Sequence, residues 1–468
     1  MAYIISQKNH DTPTTHQQFN QRFIYAISAF VALGGILFGF DLVIISGTVP
    51  FFTEYFALNE VQTGWAVGCI NLGAAIGALV AGRISSVFGR KKVLLCCALL
   101  FALTGIATGW ANEFGWFVFA RLSSGIAVGM AALACPMYIS EVAPAPLRGR
   151  LVTFYQLAIV SGLLLAYLSN YLLLNTGVNN WRWMFSSQAL PAIFFFAGLF
   201  FIPESPRWLV KKGKTSEAKK VLSKIGGKDY GNTEVQQIEY SFATEIKENI
   251  KDIFRLDVRH IILIGVAVAI FSQAGGQNSL FSYAPIIFQQ AGVATEDAFL
   301  QSIIIGLVNF VFTFVAIAFI DKIGRRKLML YGSLLLCLDA FALAGAFFWG
   351  ASAGLVLFFV LGFIAVYAAT LGPVTWVVLS EIFPNRIRSN AMALATLCLW
   401  IANFFTTASF PIFKEHFGLF GTFAIHAAIC FLYFIYIKRK IPETKGRSLE
   451  EIEAILIKEK VYPDSTDK

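Results

Sequence analysis

Residues 89–92 read Gly-Arg-Lys-Lys, and residues 324–327 read Gly-Arg-Arg-Lys, 235 positions later. Each tetrad sits between two long apolar stretches. Glu141 and Arg148 are seven residues apart, and so are Glu381 and Arg388, 240 positions on. Pro203-Glu204-Ser205 is echoed by Pro442-Glu443-Thr444 at an offset of 239. Three charged motifs in one order at nearly one spacing mark an internal duplication. Duplicated halves of a membrane protein characteristically hold a site at their interface.

Between these motifs the chain is apolar. Of its 468 residues, 57% are hydrophobic and only 14% charged, where soluble domains run near 25% charged. A soluble core could not hide 46 phenylalanines in a chain of this length; a bilayer can, by acting as their solvent. A span needs about 20 mostly apolar residues. Segments of that kind fall at 23–50, 62–82, 93–111, 115–139, 151–174 and 183–203, then at 258–289, 300–320, 328–350, 353–380, 390–412 and 418–438. The reading is an all-α membrane protein with twelve transmembrane helices in two six-helix bundles. It divides into an N-terminus (1–22), a first bundle (23–203), a linker (204–257), a second bundle (258–438) and a tail (439–468).

The net charge of +9 does not point to nucleic acid, because the basic residues lie in short loops between spans. Arg83, Arg90, Lys91 and Lys92 follow the second span, Arg148 and Arg150 the fourth, Lys322 to Lys327 the eighth, and Arg386 and Arg388 the tenth. The alternate loops carry Glu54, Glu60, Glu113, Glu296 and Asp297. The positive-inside rule predicts a multi-pass protein of the cell membrane with both termini and the linker in the cytoplasm. The polar start, Met1 to Arg22, contains no apolar core with a cleavage site, so no cleaved signal peptide is expected. All seven cysteines lie in apolar segments and read as free thiols.

The linker and tail read as short cytoplasmic amphipathic helices. Ala218, Leu222 and Ile225 recur at helical spacing, as do Val235, Ile238, Phe242 and Ile246. In the tail, Ser448 and Glu451 form a capping box ahead of Ile452 and Leu456, with Leu449 on the same apolar side. The repeated charges predict ion pairing at the cytoplasmic face, involving Arg83, Arg90, Glu141, Arg148 and Glu204 of the first half and Arg325, Glu381, Arg388 and Glu443 of the second. Arginines there can pair with carboxylates and helix C-termini and latch an inner gate.

Together with Gly39-Phe40-Asp41, Gly82-Arg83, Pro203 to Leu209, Ser380-Glu381-Ile382-Phe383-Pro384 and Pro442 to Gly446, these motifs resemble those of the sugar porters of the major facilitator superfamily, which include bacterial sugar/proton symporters and facilitative glucose transporters. The resemblance runs from about residue 23 to 457. It implies the major facilitator fold, alternating access and a monosaccharide substrate.

Ionisable residues inside a span are expensive and point to function. Asp41 in the first span and Arg121 in the fourth can pair, whereas at the repeat offset their positions fall near Asn278 and on Leu361. Loss of water disfavours a carboxylate's charge and a nearby guanidinium restores it. A carboxylate whose pairing changes with conformation can therefore load and release a proton. The resemblance implies that role for Asp41 and Arg121. Asp339, in the ninth span, reads as a structural polar contact.

The second half offers amides instead. Ser272 to Pro285 interleaves Gln273, Gln277 and Asn278 with two glycines and a proline, which weaken a helix and let polar groups face a cavity. Amides suit hydroxyl-rich neutral solutes, and Trp376 and Trp400 supply flat faces for a sugar ring. The resemblance implies sugar contacts at Gln156, Gln273, Asn278, Asn309 and Trp376. Ser272 and Leu399 stand where many relatives carry amides, a difference that can alter sugar selectivity. The expectation is a proton-coupled hexose or pentose importer, with the sugar, the proton and the bilayer as partners, functional as a monomer. The alternatives are a uniporter, a carrier of another polyol or organic acid that uses Arg121 as an anion contact, and a sugar sensor without flux. Scattered histidines and the absence of a phosphate-binding loop argue against an enzyme, and no metal or cofactor is called for.

Overall fold

A hydrocarbon solvent requires each backbone polar group to be satisfied within its own segment, which leaves helices or closed barrels. The computed structural model describes residues 19–243, 258–384, 387–447, 451–453 and 455–456, and those in regular structure are helical. The first bundle comprises α1 (Gln21–Tyr55), α2 (Glu60–Phe88), α3 (Arg90–Gly109), α4 (Phe114–Val142), α5 (Ala145–Leu173), α6 (Asn180–Ser186) and α7 (Ala189–Phe200). Helices α8 (Pro206–Lys211) and α9 (Thr215–Ala243) follow. The second bundle comprises α10 (Arg259–Ala274), α11 (Gln277–Gln290), α12 (Thr295–Ile323), α13 (Arg325–Phe348), α14 (Ala353–Ala369), α15 (Leu371–Ile382) and α16 (Arg388–Lys440). Among the described residues, eleven helical segments are long and apolar enough to cross a membrane. The last, α16, is two spans joined at Gly418, where φ is 65°, so the spans number twelve.

Three spans that read as continuous in the sequence are broken in mid-course. The sixth breaks between α6 and α7 at Ser187 and Gln188, the seventh at Gly275 and Gly276, and the tenth at Thr370. Gly276 takes φ 99°, a left-handed conformation that glycine adopts without strain.

Within each half the helices approach closely through small residues. A Cβ at Gly125 would lie 2.1 Å from the Ile70 carbonyl oxygen, and one at Gly129 would lie 2.0 Å from that of Ala74. Helices α2 and α4 thus touch backbone to backbone, as small residues permit in a membrane. Helices α1 and α5 do the same through Gly39 and Gly162, where an added Cβ would meet the Ile159 and Ile36 oxygens.

The two halves meet most closely on the face opposite the chain termini. A Cβ at Gly64 would lie 2.0 Å from the Ala408 oxygen, and one at Gly306 would lie 3.0 Å from Leu164 Cα. Tyr167 donates to the Phe281 oxygen at 2.8 Å. Toward the terminal face a cavity of about 290 Å³ opens between α1, α5 and α12, lined by Ala32, Ile36, Phe154, Leu157, Phe310 and Phe314 among others.

Under the bundles, α9 turns its apolar side inward as its periodicity predicts. Ala218, Leu222, Ile225 and Val235 are buried, and Ile238 and Phe242 are half-buried. The Asn20 amide donates to the Ile225 oxygen at 2.8 Å, tying α9 to the start of α1. Ile246, Arg386, Ser448 and Leu449 lie outside the described residues; Ile452 and Leu456 of the tail are buried.

The backbone contact of α2 with α4 predicts a sharp contrast between two substitutions. Gly129→Leu is expected to lower stability by at least the roughly 1–3 kcal/mol typical of overpacking. Gly82→Ala, which meets open space, should leave stability unchanged. Thermal unfolding in detergent compares the two.

Candidate functional site

The first half buries an ion pair in mid-span. Arg121 Nη1 donates to Asp41 Oδ1 at 2.6 Å, and both side chains are shut away from solvent, at 1% and 0% exposure. Ser124, one turn along α4, donates to Asp41 Oδ2. The Phe185 ring lies 5.5 Å from the guanidinium carbon. Arg121 Nε and Nη2 have no protein partner, so the pair is held on one side only and leaves donors for a rearranged contact.

Sequence reasoning missed a further member of this group. Gln188, at the α6–α7 break, is buried, and its Nε2 lies 3.4 Å from Ser124 Oγ and 3.4 Å from the Phe101 oxygen. The Ser124 oxygen accepts from Gln188, which turns its hydroxyl hydrogen toward Asp41. A lone glutamine in an apolar span carries no signal of this in the sequence; only the break beside it distinguishes it.

In the second half the α10–α11 break gathers three of the expected amides. Gln277 Nε2 donates to the Ser272 oxygen at 2.7 Å, and Asn278 Nδ2 donates to Gln273 Oε1 at 2.6 Å. Gln273 Nε2 lies 3.3 Å from Ser272 Oγ. Gln273 and Gln277 are buried and Asn278 is half-buried. Gln156 is half-buried on α5, one residue from the cavity-lining Leu157. Asn309 is buried on α12, next to the lining Phe310. Trp400 is buried with its Nε1 unpartnered, and its ring centroid lies 5.8 Å from that of Phe38 across the bundle interface. Trp376, on α15, is 39% exposed.

The charged motifs of the repeat close within each half. Arg90 holds Glu141 with two bonds, at 2.8 Å from Nε and 2.7 Å from Nη2. The Glu204 carboxylate caps α3 by accepting from the amides of Arg90 and Lys91 at 2.9 and 3.1 Å. Ser205 Oγ donates to Glu141 at 2.5 Å. The second half repeats the pairings, with one Arg325 nitrogen on Glu381 where Arg90 uses two on Glu141, and another on Asp321 at 2.9 Å. Arg325 pairs with Glu381 at 3.2 Å, Glu443 accepts from the Arg325 amide at 3.0 Å, and Thr444 donates to Glu381 at 2.5 Å. The glycine of each motif is required as well: Gly89 has φ 96° and Gly324 φ 98°, and a Cβ at either would strike the capping carboxylate. Arg388 donates to the Phe383 oxygen at 3.2 Å, Arg148 lies exposed near Tyr230, and Arg83 is exposed toward the end of α2.

What joins the halves is mostly neutral. Asn403 Nδ2 donates to Asn71 Oδ1 at 3.0 Å, and Asn71 Nδ2 donates to Thr407 Oγ1 at 3.2 Å. At the rim of the same α2–α16 seam, Lys414 lies 3.6 Å from Glu60. None of these partners was expected from the sequence.

A broken-helix amide site in one half and a buried acid in the other, beneath a sealed face, describe a carrier. The family model for "Sugar (and other) transporter" matches residues 27–456. The chain belongs to the sugar transporter family. It is therefore a multi-pass membrane transporter and not an enzyme. Among curated relatives, it is 35% identical over 460 residues to the arabinose-proton symporter of Bacillus subtilis, covering 97% of this chain and 99% of that one. It is 37% identical to the D-xylose-proton symporter of Escherichia coli, covering 94% and 96%. Among solved structures, this sugar transporter is similar to the inward open conformation of the xylose transporter XylE from E. coli (TM-score 0.84, 35% identity, covering 92% of this chain and all of that one). It is also similar to XylE bound to 6-bromo-6-deoxy-D-glucose (TM-score 0.77, 37% identity, 93% and 100% coverage).

The seam makes a cross-linking prediction. A Cβ at Gly68 would lie 3.0 Å from Ala408 Cβ, near the separation of about 3.5–4.5 Å that a disulfide needs. With the seven native cysteines replaced, Gly68→Cys with Ala408→Cys is expected to cross-link under mild oxidant and stop transport, and reduction should restore it. A failure to cross-link, seen as no shift on a non-reducing gel, would count against this seam as the closed face.

Proposed function

We propose that this protein imports a monosaccharide together with a proton by alternating access, with Asp41 as the proton site. The observation that carries the reading is the fully buried Asp41–Arg121 pair, whose repeat-equivalent places in the second half fall near Asn278 and on Leu361. Support comes from relatives named as proton symporters for arabinose and xylose that match this chain almost end to end.

The chemistry follows from the geometry. Deprotonated, Asp41 is held by Arg121 and Ser124. Protonation removes the charge that Arg121 was neutralising, and the guanidinium is released toward other acceptors. That change lies on α1, which packs backbone to backbone on α5, and α5 in turn meets the second half through Leu164 and Tyr167. Loading of the acid is thereby linked to the interface that must open. The sugar binds among Gln156, Gln273, Gln277, Asn278 and Asn309, which can donate to and accept from its hydroxyls. Trp376 and Trp400 lie against its C–H face. A ligand shifts this equilibrium only by its differential affinity for the two states, so the proton and sugar must both prefer the same one.

The termini and α9 lie in the cytoplasm, as the basic loops dictate, so the sealed face is external and the 290 Å³ cavity lies on the cytoplasmic side of that seal. The repeated Arg-Glu clusters, with Arg83, Arg148 and Arg388 beside them, form the cytoplasmic latch when that cavity closes. All twelve spans and both sites lie on one chain, which works as a monomer.

Uptake of labelled D-xylose, L-arabinose, D-glucose and D-galactose into proteoliposomes tests this. Wild type should accumulate at least one sugar above equilibrium only under an inward proton gradient. Asp41→Asn should lose all accumulation while sugar exchange persists. Equilibration by wild type with no response to the gradient would make the protein a uniporter, and persistent gradient-driven accumulation in Asp41→Asn would move the proton site elsewhere.

A further inference from the structure

The last residues of a helix leave carbonyls without intrahelical partners, and at a break inside a span water is not at hand to satisfy them. At the end of α10 the partners come from two directions. Gln277 donates to the Ser272 oxygen from the near side of the break. The Ala274 oxygen faces His426 Nδ1 at 3.2 Å, and the Gly275 oxygen faces Cys430 Sγ at 3.8 Å. His426 and Cys430 lie one turn apart on the second span of α16, so a single helix face closes two consecutive open carbonyls.

His426 is also fitted to the break in shape. It is 4% exposed, and a Cβ at Gly276 would lie 2.7 Å from His426 Cγ. The ring occupies the space that the left-handed glycine vacates. A carbonyl can only accept, so Nδ1 carries the hydrogen; Nε2 is buried with no partner. The ring therefore works through one nitrogen, aimed at the backbone of the break.

We propose that His426 is a positioning residue for sugar binding. By fastening the Ala274 carbonyl and filling the space beside Gly276, it sets the angle between α10 and α11. That angle fixes where Gln273, on the last turn of α10, and Gln277 and Asn278, on the first turn of α11, present their amides. His426 reaches the sugar only through these residues. The inference rests on reading those amides as the sugar site.

The test is equilibrium binding and uptake of whichever pentose or hexose the wild type transports, with four substitutions. His426→Ala removes both donor and bulk. His426→Phe keeps the bulk and drops the donor, and serves where the alanine variant is too unstable to purify. His426→Asn keeps an N–H close to the position of Nδ1, and His426→Gln moves it outward. Loss of one neutral hydrogen bond corresponds to roughly a fivefold weakening. His426→Phe and His426→Gln are expected to raise Kd and KM about fivefold, His426→Ala by more, and His426→Asn should stay near wild type. Proton-driven accumulation at saturating sugar should be unchanged in all four, which separates positioning from a general loss of fold. Unaltered affinity in His426→Phe and His426→Gln, or an Asn variant no better than Phe, would overturn the role of His426 while leaving the sugar site intact. A wild type that binds none of the sugars would overturn the site itself, and this inference with it.

Discussion

An open carbonyl or amide in hydrocarbon costs several kcal/mol, and that constraint arranges this molecule. Where the helices run unbroken it is met at no further cost, and the surface can be left to lipid. Where a helix breaks, the protein must supply partners from elsewhere. At the α10–α11 break they come from Gln277, His426 and Cys430. Gln188, beside the α6–α7 break, reaches away from it to the Phe101 oxygen of α3 and to Ser124 of α4. The two breaks stand beside the two groups that carry the chemistry, the amides of the second half and the carboxylate of the first. Polar side chains brought in to satisfy backbone are also polar side chains available to a solute or a proton.

The duplication explains the scaffold and its departures locate the function. Arg90, Glu141, Glu204 and Ser205 recur as Arg325, Glu381, Glu443 and Thr444 with the same pairing of residues, although Arg90 grips its carboxylate through two nitrogens and Arg325 through one. Such agreement follows from shared packing: one helix start, one capping carboxylate and one glycine with positive φ in each half. The centre of each half has diverged. Asp41 and Arg121 face each other in the first, whereas Asn278 and Leu361 stand near the equivalent places in the second. A single acid suffices for coupling, and a second buried ion pair would have added desolvation cost and removed room for neutral hydroxyls.

The spans, the repeat and the Asp41–Arg121 pair were legible because each is written locally or as an out-of-place charge. The linker helix was legible for the same reason, since Ala218, Leu222 and Ile225 repeat at helical spacing and prove buried. The breaks at Gln188 and Thr370 were not, because each stretch is long and apolar enough to read as one continuous span despite Ser186 and Ser187 beside the first and Gly372-Pro373 after the second. The residues that join distant helices were not either. Asn71 and Asn403 are 332 positions apart, and each by itself is an ordinary amide in a span. His426 reads as a stray histidine until the fold sets it against Gly276. The repeated charges predict pairing at the cytoplasmic face that latches an inner gate; in this conformation Arg90 and Arg325 hold carboxylates of their own half.

That arrangement separates what moves from what stays. Breaking a buried ion pair by removing a partner is costly, on the order of 3–5 kcal/mol, while a neutral hydrogen bond contributes only about 1 kcal/mol net. The buried pair and the bidentate Arg90–Glu141 contact both lie within one half. The seam between halves is built from Asn71, Asn403 and Thr407, and from Gly64 and Gly68 against Ala408. The ion pair at this seam, Glu60 with Lys414, sits at the rim, a third and a fifth exposed, at 3.6 Å. Water can take over each of these contacts as the seam opens, so opening exposes no uncompensated charge. A protein whose halves must part and rejoin in every transport cycle needs its strong interactions inside the moving bodies and its weak, replaceable ones between them.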